Sequence, residues 1–288
     1  MIAQDVGLTR RALWVPRLRA PGLLVPGGLG VLLIALLALL GPALAGFDPG
    51  HVAPAQRLLP PGAAGHRLGT DQLGRDVLAR TLAGFRWSLG VGLLASGIAA
   101  VIGTGTGLVA GWNEGWPRAL ASRVMETAIA FPYLVLALAV IAVTGHGFWA
   151  LVGVLGLVSW VSFARVVLAE TQAIKRREYV LAARLMGLST AHILRTYVLR
   201  GLRRTLLVVS AFVFADLLVA EASLSFLGLG APLGTASWGS MLAESRIYTF
   251  TAPWMLYAPA AAVVLAVVAA NLVGDGLSRL WGGGARLE

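Results

Sequence analysis

The chain has no cysteine among its 288 residues and only one lysine. Without cysteine there are no disulfides, no thiolate metal sites and no cysteine nucleophile. Four histidines, at 51, 66, 146 and 192, stand far apart with no metal-ligand spacing, so no metal site is expected. The single lysine, Lys175, sits in QAIKRRE, and the chain therefore lacks the Gly-x4-Gly-Lys-Ser/Thr loop that cradles nucleotide phosphates. A Gly-x-Ser-x-Gly elbow and a His-Glu-x-x-His helix are also missing. No catalytic residue is expected, and the chain does not hydrolyse ATP by that route.

Charge is scarce as well, at 12% of residues against 58% hydrophobic. With a mean hydropathy of +0.80, this describes an all-α polytopic membrane protein rather than a soluble domain. A bilayer-spanning helix needs about 20 mostly apolar residues. Charge-free runs of that order occupy 21–47, 87–113, 127–164 and 247–274. The third is long enough for two spans, with Gly145-His146-Gly147 as the turn. A fifth stretch, 205–228, is apolar apart from Asp216 and Glu221, which brings the expected count to six helices.

The formal charge of +10 follows topology and does not signal nucleic acid. Arg10, Arg11, Arg17 and Arg19 precede the first span, and nine Lys/Arg lie between 165 and 204. The positive-inside rule makes both termini and the loops 112–126 and 165–204 cytoplasmic. One conflict follows: segment 48–86 is assigned outside yet carries Arg57, Arg67, Arg75, Arg80 and Arg86, partly balanced by Asp48, Asp71 and Asp76. The first span is read as an anchor, because its apolar run exceeds a signal-peptide core and further spans follow.

Gly103, Gly107 and Gly111, four apart, stack on one helix face and suit close packing. Residues 171–186 are expected to be helical, ended by Gly187 in the left-handed conformation, with Ser189 capping a second helix to about Leu199. Ala182 and Ala183 leave little side chain on that first helix, so an object outside the bilayer could approach it; the competing reading is a helix lying on anionic lipid. If the fifth span begins near Thr205, Asp216 lies about 16 Å along it and Glu221 about 24 Å. Intramembrane carboxylates are functional candidates by default. Asp216 and Glu221 are the candidates for a translocation path, Asp216 favouring a cationic group such as a peptide ammonium.

The stretch Glu178-Tyr179-Val180-Leu181-Ala182-Ala183-Arg184 followed by Gly187 resembles the EAA motif of ABC-importer permeases, where a short coupling helix docks on the ATP-binding subunit. HRLGTDQLGRDVLARTLAGFRWSLGVGL (66–93), EASLSFLGLG (221–230), SWGSML (237–242) and Asn271 with Gly274-Asp275-Gly276-Leu277 resemble, in order, landmarks of the dipeptide/oligopeptide permease subfamily. The chain departs from that pattern in having Leu199-Arg200-Gly201 where Leu-Pro is usual, and in lacking a C-terminal Asp-Pro pair. Glycine at 201 can still break the helix there, without the rigid bend of a proline.

The resemblance implies a type I importer fold in a bacterial cytoplasmic membrane. Residues 1–65 would form a cytoplasmic flank, first span and outer segment, and residues 66–288 a permease domain with its coupling region at about 171–200. It further implies a second permease chain, two ATP-binding subunits that hold ATP and Mg, and an extracytoplasmic solute-binding protein. Glu178, Ala182, Ala183, Arg184 and Gly187 would couple to the ATPase. Dipeptides or oligopeptides are the implied cargo, with nickel, glutathione or haem as alternatives. A proton-coupled carrier using Asp216 or Glu221 is the rival from another class.

Overall fold

The structure, a computed structural model, describes residues 20–282 apart from position 233. Arg10, Arg11, Arg17 and Arg19, on which the N-terminal orientation partly rested, lie outside the described residues, as do those from 283 onward. The described residues form helices and connecting turns, with one isolated β-bridge between Thr70 and Asp76.

Helix α1 (Ala20–Ala45) leads into an irregular segment that ends at Asp76. The Asp76 side chain caps α2 (Val77–Trp112), accepting a 2.6 Å hydrogen bond from the Ala79 amide. Helix α2 therefore starts ten residues before the expected 87, with Arg80 paired inside the fold (below) and exposed Arg86 donating to the Ala38 carbonyl. Helix α3 (Trp116–Ala130) occupies most of the stretch expected to be the 112–126 loop. Phe131 is extended and Pro132 cannot continue a helix, so α4 (Tyr133–Thr144) leaves at 84° to α3. The third expected span is thus a bent pair.

Gly145 and Gly147, both at positive φ, turn the chain into α5 (Phe148–Lys175). The single helix expected over 171–186 is two: α5 stops at Lys175 and α6 (Glu178–Leu185) begins after Arg176-Arg177. Next come α7 (Thr190–Ile193), one π turn (Leu194–Val198) and α8 (Leu199–Phe226). Gly201 does not break the helix; it lies inside α8, where a Cβ would stand 2.7 Å from Ile174 Cδ1 of α5. Its smallness serves close packing, and residues 190–226 run on as one helical segment with a stretch long and apolar enough to cross a membrane. Helix α9 (Trp238–Ser245) is opened by a Ser237/Ser240 capping box, and α10 (Trp254–Gly282) starts later and ends later than the expected 247–274. Five helices are long and apolar enough to cross a membrane, and α3 with α4 makes six if the pair is one broken span.

The bundle is built on α2 against α5, which run side by side in the same direction. Gly103 faces Phe163 and Ala164, Gly107 faces Ala164 and Val167, and Gly111 faces Leu168 and Thr171; a Cβ at Gly107 would stand 2.6 Å from the Ala164 carbonyl oxygen. Helix α8 returns antiparallel along this pair, and Phe163, Leu155, Val213, Leu217 and Leu224 fill the space between. Helices α1 and α10 close the other side, Gly27 lying on Leu272 and Gly276 on Leu24. One end of the bundle carries α6, and the opposite end carries α9. At the α9 end Trp238 is buried, donates from Nε1 to the Thr81 carbonyl at 3.1 Å and stands edge-on to Phe85. That contact pins the SWGSML landmark to the start of α2.

Candidate functional site: a helical turn unit attached to a cavity

Helix α6 ends in a Schellman motif. Gly187 takes φ +77°, its amide donates to Arg184 O at 3.0 Å, and the Leu188 amide donates to Ala183 O at 3.1 Å. Ser189 then caps α7, its Oγ accepting from the His192 amide. Val180 and Ala183 point inward and pack with Ile174, Ile193, Val198 and Leu202. The two alanines are therefore not equivalent. Ala183 is fully buried within the chain and presents nothing to an external object, whereas Ala182 is exposed. Glu178 and Arg184 are exposed too, and Glu178 in the first turn suits the helix dipole. Beyond them Leu185 (91% exposed), Met186 and Leu188 form an apolar tip without cover among the described residues.

This unit is covalently continuous with two cavity walls. A cavity of about 550 Å³ opens between α4, α5 and α8 beside the Phe131-Pro132 bend. Asp216 lines it from α8, Ser159, Ser162 and Arg165 from α5, and Tyr133 from α4. Helix α5 runs directly into α6, and α8 grows out of α7 through the π turn. Arg165 was not singled out in the sequence; its place as the first charge after the 127–164 run is the signal that could have marked it.

Glu221 does not share the cavity. It is fully buried on the side of α8 that meets α2, Oε1 accepting from Ser225 Oγ at 2.7 Å. Its Oε2 stands beside Trp87 Nε1 and Ser88 Oγ of α2, all three buried. The helical rotation between 216 and 221 sends the two acids to different faces, and Glu221 does not line this cavity.

At the α9 end the charges that conflicted with the positive-inside count form a closed cluster. Arg75 Nε lies 2.6 Å from Asp71 Oδ2 and its Nη2 2.8 Å from Glu244 Oε2; Arg80 Nη1 lies 2.6 Å from the same Asp71 oxygen, and its Nη2 3.0 Å from Glu244 Oε1. Burial alone would raise the Glu244 pKa, but hydrogen bonding and charge from Arg80, with the charge of Arg75, hold it below the usual carboxylate range. Nearby, buried His66 bridges Asp76 Oδ2 (2.8 Å) and Gln56 Oε1 (3.0 Å) and stacks on Phe47. Two of the five arginines in segment 48–86 are thus neutralised inside the fold. Glu244 lies about 170 residues from its partners in the chain, beyond the reach of any local spacing rule.

Among the described residues no group of three or more His, Asp or Glu side chains is placed to hold a metal ion. Residues 78–282 match the family described as binding-protein-dependent transport system inner membrane component. A glutathione transport system permease of Pectobacterium atrosepticum is 37% identical over 88% of this chain and 84% of its own length. A di/tripeptide transport system permease of Pseudomonas aeruginosa is 37% identical over 87% and 84%, and a dipeptide transport system permease of Alkalihalophilus pseudofirmus 33% identical over 84% and 79%. Family membership sets aside the proton-coupled carrier and any enzymatic role. The chain belongs to the inner-membrane permeases of binding-protein-dependent ABC importers.

Proposed function

We propose that the chain is one of two permease subunits of an ATP-driven importer that moves dipeptides or oligopeptides across the cytoplasmic membrane by alternating access. A solute-binding protein delivers cargo at the α9 end, and two ATP-binding subunits, which hold ATP and Mg, engage the α6 end. That end is cytoplasmic in this reading, because the basic loop 165–204 lies there. The observation that carries the proposal is the direct attachment of the coupling unit to both α5 and α8. Displacement of α6 and α7 by nucleotide-driven closure moves the two helices that supply Ser159, Ser162, Arg165 and Asp216 to the cavity.

Glu178, Ala182, Arg184 and Gly187 carry the docking, with Leu185, Met186 and Leu188 as the apolar contact; Ala183 supports α6 from within. Asp216 lines the path and favours a cationic group of the cargo. Glutathione is the second reading of the substrate, because the glutathione and the di/tripeptide permeases stand at the same 37% identity.

The test is co-purification of the tagged chain from its native membrane. Wild type is expected to bring a second permease and ATP-binding subunits, and Ala182→Trp to lose the ATP-binding subunits while keeping the second permease. Ala183→Trp is expected to disorder α6 itself, seen as protease cleavage within 176–190. Recovery of the wild-type chain alone, or ATP-binding subunits fully retained by Ala182→Trp, would sink the coupling assignment.

A further inference from the structure

The cavity beside the Phe131-Pro132 bend has one carboxylate and one guanidinium in its wall, Asp216 from α8 and Arg165 from α5. Transport as proposed above uses Asp216 and leaves Arg165 without a task. Both side chains are exposed. Charges at this depth face water or protein and not lipid. Neither side chain makes an ion pair or a hydrogen bond among the described residues, with each other or with any neighbour. The other acid near Arg165 is Glu126 of α3, in an adjoining cavity of about 470 Å³ that shares Ile129 and Arg165 with the first. Glu126 is already paired with Arg123, at 3.3 Å.

The packing of α5 on α8 sets the interval between the two charges. Ile174 meets Gly201. Because the helices are antiparallel, counting equally along both from that contact sets Asp216 opposite Ser159, itself in the cavity wall. Arg165 lies about 9 Å further toward the α6 end. Helical side chains lean toward the N-terminus of their own helix, so in this pair the charged ends lean toward each other without meeting. An extended dipeptide spans about 7 Å and a tripeptide about 10 Å, whereas a single amino acid, at about 3.5 Å, would not reach both charges. The guanidinium fork matches a carboxylate in two parallel hydrogen bonds. Ser162, in the wall between the two charges, has a hydroxyl with no hydrogen bond among the described residues and can add a third. A volume of about 550 Å³ is in the range of small-ligand pockets.

We propose that Arg165 holds the free C-terminal carboxylate of a two- or three-residue peptide whose cationic group rests on Asp216. The cargo then lies with its carboxylate toward the α6 end. The inference rests on the peptide-importer reading and adds a requirement to it: the cavity selects peptides that end in a free carboxylate.

Saturation-transfer NMR on the intact importer complex in nanodiscs, without the solute-binding protein, reads binding of lysylalanine and of its C-terminal amide. Wild type is expected to bind the free acid about tenfold more tightly than the amide. Arg165→Gln should weaken the free acid about tenfold and leave the amide as it was, so the preference disappears, while Arg165→Lys keeps most of it. Asp216→Asn should weaken acid and amide alike. Equal binding of the two forms by wild type overturns the proposal whether or not the variants fold. A preference that survives Arg165→Gln overturns it too, as does Arg165→Gln weakening both forms equally. ATP-driven uptake of lysylalanine by the complete importer with its binding protein, in proteoliposomes, tests the peptide reading by itself. Uptake with no binding in the NMR experiment overturns this inference alone; no uptake overturns the peptide reading and the inference with it.

Discussion

Replacing Arg80 with methionine is expected to harm the molecule more than replacing Glu244 with glutamine, although the two side chains touch. The structure sets the order. Arg80→Met removes the guanidinium contacts to Asp71 and to both Glu244 oxygens, leaving Arg75 as the sole cation for two carboxylates. Glu244 is 28% exposed and can take water in exchange, but Asp71, at 2%, cannot. Removing one partner of a buried pair costs about 3–5 kcal/mol, most of it the stranded charge. Glu244→Gln keeps the shape and one acceptor oxygen, leaves Asp71 with both arginines, and should cost about 1–3 kcal/mol.

Denaturant titration of the purified protein, read by tryptophan fluorescence, checks this, because Trp238 and Trp254 donate to carbonyls of Thr81 and Thr70 beside the cluster. The double variant should show about 1–3 kcal/mol of non-additivity. The pH dependence carries a sign. The Glu244 carboxyl sits below its ordinary value in the folded protein, so its contribution is complete above the unfolded value of about 4.3 and is lost as pH falls through the lower folded one. Glu244→Gln should abolish that part of the acid sensitivity and leave stability at neutral pH and above only moderately reduced. Equal costs for the two variants, or strict additivity, would refute the view that the cluster ties segment 46–76 to α9.

Two further outcomes follow from the packing and the cavity. Gly107→Leu would drive a side chain into the Ala164 carbonyl and Val167, and should cost about 1–3 kcal/mol or prevent accumulation in the membrane, whereas the same change at Gly105, whose Cβ position is open, should be tolerated; membrane-fraction yield and thermal denaturation separate them. Asp216→Asn in a transport-competent complex should lower uptake of cationic peptides by about tenfold, roughly 1.4 kcal/mol, with neutral peptides less affected; unchanged uptake of both removes Asp216 from the path.

The all-helical class and the spans were legible because lipid imposes a length and an apolarity that survive in one dimension, as in 21–47 and 205–228. The glycine row on α2 was legible for a similar reason, since four-residue spacing maps onto one helix face whatever the partner. Boundaries failed where tertiary contacts rewrite what a residue means. Gly201 read as a breaker because a helix interior usually penalises glycine, yet it lies within α8 with the tip of the Ile174 side chain packed against it. Arg75 and Arg80 read as a topology violation because Glu244, which neutralises them, arrives from the far end of the chain.

Coupling shows the same limit more sharply, because Ala182 and Ala183 are neighbours with the same side chain and opposite surroundings. A motif that names both cannot say which one touches the partner; the 100° step between adjacent helix positions decides, and the phase of that step is fixed by Val180 and Ile193 in the core beneath. The phase also orients Asp216 and Glu221 on α8, five residues apart, one to the cavity and one to α2. Under the proposed coupling, force would pass less through the motif than through the helix that follows it. The π turn at Leu194–Val198 lets α7 and α8 run on as one body. Under the proposed coupling, a displacement at Ser189 would reach Asp216, about 40 Å further along that path.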